Sequence, residues 1–126
     1  MNYKTMFNQL GLKATPARIL LYEFLQNKGH ITAEEVLNWA KVNFPDFNRA
    51  TVYNTLNNFE EVGLITKFKL PNSENFIYDT KTHDHFHFVD TNTGEIVDLE
   101  PEQVSVDVSK LKIKISEVFI LGTKRR

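Results

Sequence analysis

Residues 48–70 read NRATVYNTLNNFEEVGLITKFKL and predict a helix that leads directly into a strand. The apolar side chains of the first part recur at helical spacing and define one buried face, formed by Val52, Leu56 and Phe59. Gly63 suits the left-handed residue that closes a helix, because glycine adopts a positive φ without strain. We therefore predict a helix over residues 49–62.

A hairpin is predicted immediately after this helix. Residues 64–69 are expected to form a strand, and the Pro-Asn-Ser sequence at residues 71–73 has typical turn chemistry. Residues 75–79 would then form the returning strand. The hairpin should lie beside the helix as a two-stranded wing.

Two further helices are predicted upstream. The first begins with a Thr-Pro pair at residues 15–16, which supplies a hydroxyl cap and a proline at the first helical position. The second begins with a capping box formed by Thr32 and Glu35 and stops at Pro45. Three helices followed by a wing make a winged helix-turn-helix domain, which we assign to residues 1–80.

The remaining residues, 81–126, show a pattern typical of β-structure. We predict strands over residues 83–90, 95–99 and 111–121, with a short helical connection over residues 101–110. The fold class is thus α+β, with the winged helix followed by a small α/β dimerisation domain. Such a small sheet buries too little apolar surface to be stable alone, so we expect a homodimer that covers its edge strand.

The amino-acid composition limits which classes of function the chain can have. The 126 residues have a formal net charge of -1, so binding to nucleic acid would depend on a local basic stripe that includes Lys67 and Lys69. There is no cysteine, which excludes disulfides, thiol nucleophiles and thiolate zinc sites. No apolar stretch is long enough for a membrane helix and no signal peptide is evident, so we expect a cytoplasmic protein without membrane partners.

The start of the third predicted helix carries side chains suited to reading DNA bases or contacting phosphates. These are Arg49, Thr51, Tyr53 and Asn54. Lys13 and Arg18 are further candidates for phosphate contacts. Alternatively, Tyr53 packs in the core and the other side chains cap the helix or face solvent. The combination of three helices and a wing favours DNA binding, and a dimer would match a palindromic operator in double-stranded DNA.

A histidine-rich stretch opens the second domain, with His83, His85 and His87 at alternate positions. On a strand, His85 and His87 project from the same face, and the predicted hairpin can bring Asp98 beside them. With Asp79 just before, these nitrogen and oxygen ligands suit Fe²⁺, Mn²⁺, Co²⁺, Ni²⁺ or Zn²⁺, and favour iron or manganese. The alternative is an amphipathic strand whose histidines merely face solvent. The two nearby carboxylates favour a metal.

The chain resembles the ferric uptake regulator (Fur) family over nearly its whole length. The resemblance rests on a set of short motifs spread along the sequence. These are GLKATPAR at residues 11–18, HITAE at 30–34, ATVY at 50–53, GLI at 63–65 and GEIVD at 94–98. It implies a regulatory metal between the two domains, bound by His30, Asp79, His85, His87 and Asp98. A shared metal would fix the angle between the domains and so favour operator binding.

Three features refine the resemblance. Aspartate at both carboxylate positions resembles the peroxide-sensing PerR branch, since other members often have glutamate there. Asp90 and Thr93 stand where many relatives have cysteines for a structural zinc, so we expect no cysteine-bound zinc here. The short link over residues 101–110 and the basic C-terminal residues resemble the iron-responsive Irr branch, in which haem can be the signal. His83, His85 and His87 are then candidates for haem or an accessory metal.

These observations predict a DNA-binding regulator and not an enzyme. We expect a repressor of iron, metal or oxidative-stress genes that responds to Fe²⁺ or Mn²⁺, with Zn²⁺ able to bind in vitro. A peroxide sensor, in which bound Fe²⁺ oxidises a ligand histidine, and a haem-responsive regulator are alternatives. A metallohydrolase is disfavoured because no nucleophile or phosphate-binding motif is visible.

Overall fold

The chain forms two units, Met1–Thr82 and His83–Arg126, in the computed structural model. The structure describes residues 2–70, 73–80, 86–113, 115 and 118–125. Helices and a sheet make up the first unit, whereas the described part of the second contains a sheet and no helix. Among the described residues, no helix is both long and apolar enough to cross a membrane.

Four helices form most of the first unit: α1 (Tyr3–Gln9), α2 (Pro16–Lys28), α3 (Ala33–Asn43) and α4 (Arg49–Glu61). The predicted start signals are present. Thr15 Oγ1 accepts the Arg18 N–H at 3.2 Å at the start of α2, and Thr32 forms a capping box with Glu35 at the start of α3. Gly63 has φ of 81° just after α4, as expected for a residue that closes a helix.

The core of the first unit is built around aromatic rings. Phe7, Tyr22 and Phe59 contact one another edge to face, with ring centroids 5.6 to 5.9 Å apart. The predicted inner face of α4 is confirmed, since Val52, Leu56 and Phe59 are all 0% exposed. The helix is therefore held by its buried face, which leaves the opposite face open to solvent.

A three-stranded sheet completes this unit: β1 (His30–Thr32), β2 (Thr66–Lys69) and β3 (Phe76–Asp79). The order is β1-β3-β2 and both pairings are antiparallel. The prediction of a two-stranded wing was therefore incomplete, because β1 pairs with β3 along its other edge. A strand of three residues between two helices is too short to show an alternating pattern of apolar side chains, so β1 could not be predicted from the sequence.

The described strands of the second unit are β4 (Phe86–Asp90), β5 (Ile96–Leu99) and β6 (Phe119–Gly122), in the order β5-β4-β6. β4 and β5 form the predicted antiparallel hairpin, whereas β6 runs parallel to β4. The turn between β4 and β5 is stabilised by Asp90 Oδ1, which accepts the N–H groups of Asn92 at 2.8 Å and Thr93 at 3.3 Å. Lys124 Nζ donates to Glu95 Oε2 at 2.7 Å and connects the end of the chain to this hairpin.

Two predictions for the second unit were wrong. Residues 101–110 contain a turn and irregular backbone but no helix. Val104, Val106 and Val108 occupy alternate positions there, and β-branched side chains disfavour a helix. The third strand was also predicted too long, because the described residues 111–113 and 115 lie outside any strand and β6 begins only at Phe119.

Candidate functional sites

The first histidine–aspartate pair lies within the sheet of the first unit. The register of β1 and β3 places His30 directly opposite Asp79, and the His30 Nε2 atom is 3.2 Å from Asp79 Oδ2. The Asp79 side chain is 1% exposed and that of His30 is 19% exposed. Gly29, with φ of 78°, lets the chain leave α2 and enter β1 at once. The capping box at Thr32 then starts α3, so His30 is held between two defined helix ends.

The second pair lies within the sheet of the second unit. The register of β4 and β5 places His87 opposite Asp98, and His87 Nδ1 is 3.3 Å from Asp98 Oδ1. The His87 side chain is 1% exposed, and its ring stacks on Phe119 of β6 with centroids 5.5 Å apart. The expectation that the hairpin brings Asp98 beside a strand histidine is thus met for His87. Phe119 was not foreseen, because its position depends on the parallel pairing of β6.

Each pair has the separation expected of two ligands to the same ion. Metal bonds of about 2.1 Å to nitrogen and oxygen place neighbouring ligand atoms roughly 3.0 to 3.4 Å apart in octahedral or tetrahedral coordination. The measured separations of 3.2 and 3.3 Å fall in this range. A buried carboxylate is costly unless a cation or hydrogen-bond donor compensates it, and a divalent ion would do so. Each pair therefore suits a metal ion bound by nitrogen and oxygen ligands.

His83 and His85 lie outside the described residues, so their predicted roles stay predictions. The structure brings His30 together with Asp79, and His87 together with Asp98. Sequence spacing alone did not connect His30 to any other ligand. The antiparallel pairing of β1 with β3 supplies that connection.

The predicted nucleic-acid interface is centred on α4. Arg49, Thr51 and Asn54 are exposed in its first turns, and Tyr53 is half-buried. The side chain of Asn48 caps the helix, since its Oδ1 accepts the Thr51 N–H at 2.9 Å and the Thr51 hydroxyl at 3.0 Å. Thr51 therefore takes part in capping the helix as well as facing solvent. Arg49 and Asn54 remain the side chains best exposed to contact a ligand.

Two more candidates lie near the start of α2. Lys13 is exposed in the segment before the helix, and Arg18 is half-buried in its first turn. Arg18 lines a cleft of about 420 Å³ together with Thr51 of α4 and Phe44 and Pro45 from the loop between α3 and α4. The starts of α2 and α4 are therefore close together, so basic side chains of both can face one surface.

Tyr78 connects α4 to the wing. It is 3% exposed, and burial, followed by the nearby Tyr53 and Glu60, raises its pKa to about 12. Tyr78 is therefore neutral at physiological pH, and its aromatic body packs in the core of the first unit. Tyr53 is half-buried, so only part of its side chain is open to solvent.

A family model described as the ferric uptake regulator family matches residues 9–119. The chain belongs to the ferric uptake regulator family. Over 121 residues it is 32% identical to the peroxide operon regulator of Bacillus subtilis (strain 168). The match covers 90% of this chain and 83% of that protein. It is therefore a metal-responsive transcription regulator, as predicted.

Solved structures of the ferric uptake regulator family support the fold. The Campylobacter jejuni peroxide stress regulator has a TM-score of 0.67 and 26% identity, covering 100% of this chain and 98% of that chain. The Vibrio cholerae ferric uptake regulator has a TM-score of 0.73 and 24% identity, covering 98% and 100%. The predicted α+β fold class is confirmed.

Proposed function

We propose that this regulator binds a palindromic operator in double-stranded DNA as a homodimer, and that one Fe²⁺ or Mn²⁺ ion controls this binding. The ion would be held by His30, Asp79, His85, His87 and Asp98. The observation that carries the proposal is the histidine–aspartate contact within the sheet of each unit, at 3.2 Å for His30 with Asp79 and 3.3 Å for His87 with Asp98. Zn²⁺ accepts the same ligand types and is expected to bind in vitro.

A shared ion supplies a physical switch. His30 and Asp79 belong to the unit that carries α4, whereas His87 and Asp98 belong to the other unit. An ion bound by both pairs restricts the orientations of the two units, so it favours the one that suits DNA. By linkage, operator DNA then raises metal affinity by the same factor that metal raises DNA affinity. As a DNA-binding protein, the regulator would act in the cytoplasm.

The exposed polar and basic side chains near the starts of α2 and α4 support DNA reading by α4. Arg49, Thr51 and Asn54 are exposed and Tyr53 is half-buried, and Lys13 and Arg18 lie before and within the start of α2. Asparagine can bind adenine with two hydrogen bonds, and arginine can bind guanine or phosphate. We assign base reading to Asn54 and Arg49, and phosphate contacts to Lys13 and Arg18.

A titration of DNA binding with metals tests this function. The probe is a duplex selected by the Mn²⁺-loaded protein from a random-sequence pool, and the measurement is fluorescence anisotropy under anaerobic conditions. We expect Mn²⁺ and Fe²⁺ to raise DNA affinity by roughly 5- to 150-fold over protein treated with a chelator. Equal DNA affinity with metal and with chelator would contradict metal control. Absence of any selected duplex would contradict DNA binding itself.

Peroxide sensing is a second candidate, favoured by the 32% identity to a peroxide operon regulator. In that case the site residues would hold Fe²⁺, which would promote the reaction of one hydrogen peroxide with a ligand imidazole: one peroxide oxygen is added to the ring and the other leaves as water. We expect the Fe²⁺-loaded protein, but not the Mn²⁺-loaded protein, to gain the mass of one oxygen on the peptide that contains His30 or His85. A failure of peroxide to change either this mass or DNA affinity would leave metal sensing as the function.

Haem sensing and metal-dependent hydrolysis have less support than these two functions. The His87 imidazole is buried against Phe119 and contacts Asp98, which argues against it as an axial ligand of haem. His83 and His85 remain the haem candidates, and loss in His83→Ala or His85→Ala of a Soret band that the wild-type protein shows after haem addition would identify the ligand. Membership of a regulator family favours a regulator over a metallohydrolase.

A further inference from the structure

Three side chains from three neighbouring strands form a row across the sheet of the second unit. The register places Asp98 of β5 and Phe119 of β6 directly opposite His87 of β4, one on each side. Residues opposite one another in a sheet project from the same face, and neighbouring strands lie about 4.8 Å apart. The His87 imidazole therefore lies between a carboxylate and an aromatic ring. We call Asp98, His87 and Phe119 the cross-strand row.

Backbone hydrogen bonds hold β6 in place beside His87. The His87 N–H donates to the Val118 carbonyl oxygen at 3.1 Å, directly next to Phe119. At the other end of β6, the Thr91 N–H donates to the Gly122 carbonyl oxygen at 2.8 Å, and the Thr91 hydroxyl donates to the same oxygen at 3.2 Å. The main chain therefore fixes where Phe119 lies relative to His87.

The Phe119 ring restrains the plane of the His87 imidazole. The two ring planes are 28° from parallel and their centroids are 5.5 Å apart, which is an offset stack. Histidine χ2 is a broad, roughly twofold torsion, so it does not by itself fix the ring. Rotation about χ2 would push the edge of the imidazole into the face of Phe119. The His87 side chain is 1% exposed, so the sheet leaves little room for such a rotation.

The aromatic ring and the carboxylate fix different properties of the imidazole. A rotation of half a turn about χ2 leaves the ring plane unchanged but exchanges Nδ1 with a carbon atom, so stacking alone cannot select between the two orientations. Asp98 can select, because the observed orientation puts His87 Nδ1 3.3 Å from Asp98 Oδ1. Phe119 thus sets the plane, and Asp98 decides which edge of the ring faces the carboxylate.

We propose that Phe119 is a positioning residue for the metal site: it holds the His87 imidazole in the plane that lets Nδ1 and Asp98 bind the same ion. This inference rests on the proposed function, in which His87 and Asp98 are metal ligands. A ligand already held in its bound orientation loses less conformational freedom when the ion binds, so the affinity is higher. Phe119 itself does not bind the ion.

Calorimetric titration of the full chain with Zn²⁺, together with long-range proton–nitrogen correlation spectra of the histidine rings, tests this role. We expect Zn²⁺ to shift the resonance of His87 Nδ1 in the wild-type protein. Phe119→Leu keeps apolar volume but removes the flat ring, so it should weaken Zn²⁺ binding about tenfold, the lower figure for residues that orient a metal ligand. Phe119→Tyr keeps the ring and should restore the wild-type affinity and spectrum.

Leu121→Ala is the matched control. Leu121 lies on the same strand and the same face as Phe119, but it is opposite Val89 instead of His87, and it is 55% exposed. Its replacement should leave both the Zn²⁺ affinity and the His87 spectrum unchanged. Circular dichroism verifies that each variant is folded. Phe119→Met carries the same prediction as Phe119→Leu and replaces it if that variant does not fold.

The outcomes separate this inference from the function on which it rests. Wild-type Zn²⁺ affinity in Phe119→Leu, or equal losses in Phe119→Leu and Phe119→Tyr, would overturn the positioning role. A loss of the same size in Leu121→Ala would also overturn it, because the effect would then come from a general disturbance of β6. If His87→Ala lost affinity in any of these cases, the proposed metal site would stand without the positioning role. If His87→Ala bound Zn²⁺ as tightly as the wild-type protein, both would fail.

Discussion

Replacing His87 with alanine is expected to weaken Mn²⁺ binding by more than about a hundredfold, the upper figure for changes that merely reorient a metal ligand. His87 is 1% exposed, and its Nδ1 lies 3.3 Å from the carboxylate of Asp98. The substitution removes a nitrogen ligand from a buried position that solvent cannot easily refill. The remaining ligands would bind the ion too weakly to affect the orientation of the units. We therefore expect DNA affinity to become insensitive to metal.

Calorimetric titration with Mn²⁺, and anisotropy of labelled DNA with Mn²⁺ or a chelator, measure the two effects. Asp98→Asn and Asp79→Asn are conservative companions that should weaken metal binding in the same direction. Asp107→Asn removes an exposed carboxylate of the second unit and serves as the control. Retention of metal-dependent DNA binding by His87→Ala would refute the proposed site. Loss in the His87 and Asp98 variants alone would show that Asp79 is not a ligand.

Replacing Phe59 with alanine is expected to lower the free energy of unfolding by about 3–5 kcal/mol. The Phe59 ring is 0% exposed and contacts the rings of Phe7 and Tyr22 edge to face. Its loss creates a cavity at the junction of α1, α2 and α4 and removes two aromatic contacts. Because small domains are stable by only about 5–15 kcal/mol, the change should also reduce the folded fraction available to bind DNA.

Urea unfolding followed by Trp39 fluorescence measures this loss, since the protein has 1 tryptophan and it packs in the first unit. Val42→Ala is the matched control, because Val42 of α3 is 79% exposed. That control should change stability by no more than about 0.5 kcal/mol. A Phe59→Ala variant as stable as Val42→Ala would mean that α4 is not anchored by this ring. Phe59→Leu, which leaves a smaller cavity, should lose less.

Sequence reasoning predicted α2, α3 and α4 because their signals act locally. Thr15, Thr32 and Gly63 are caps or terminators whose effect extends over only a few residues, and the structure contains all three as predicted. The hairpin of β4 and β5 was also predicted, since its strands are joined by a short turn. The prediction of a helix over residues 101–110 was wrong, because the alternating valines there disfavour a helix.

The candidate site was likewise predictable from local sequence only in part. The position of Asp98 beside His87 follows from alternation along β4 and the short connection to β5, both readable in the sequence. The position of His30 beside Asp79 could not be read in this way. Only the resemblance to a family implied that His30 is a ligand, and the register of β1 with β3 accounts for its contact.

The helix that begins at Arg49 was determined by its own residues. They are the Asn48 cap, the apolar face of Val52, Leu56 and Phe59, and the closing Gly63. The caps act over a few residues and the spacing of the apolar side chains is a local pattern, so both can be read from the sequence alone. Tertiary structure alone decided that β1 pairs with β3 and that β6 runs parallel to β4. Those arrangements join residues distant in sequence, and a strand's partner and register are set by packing of the whole sheet, which no local pattern encodes.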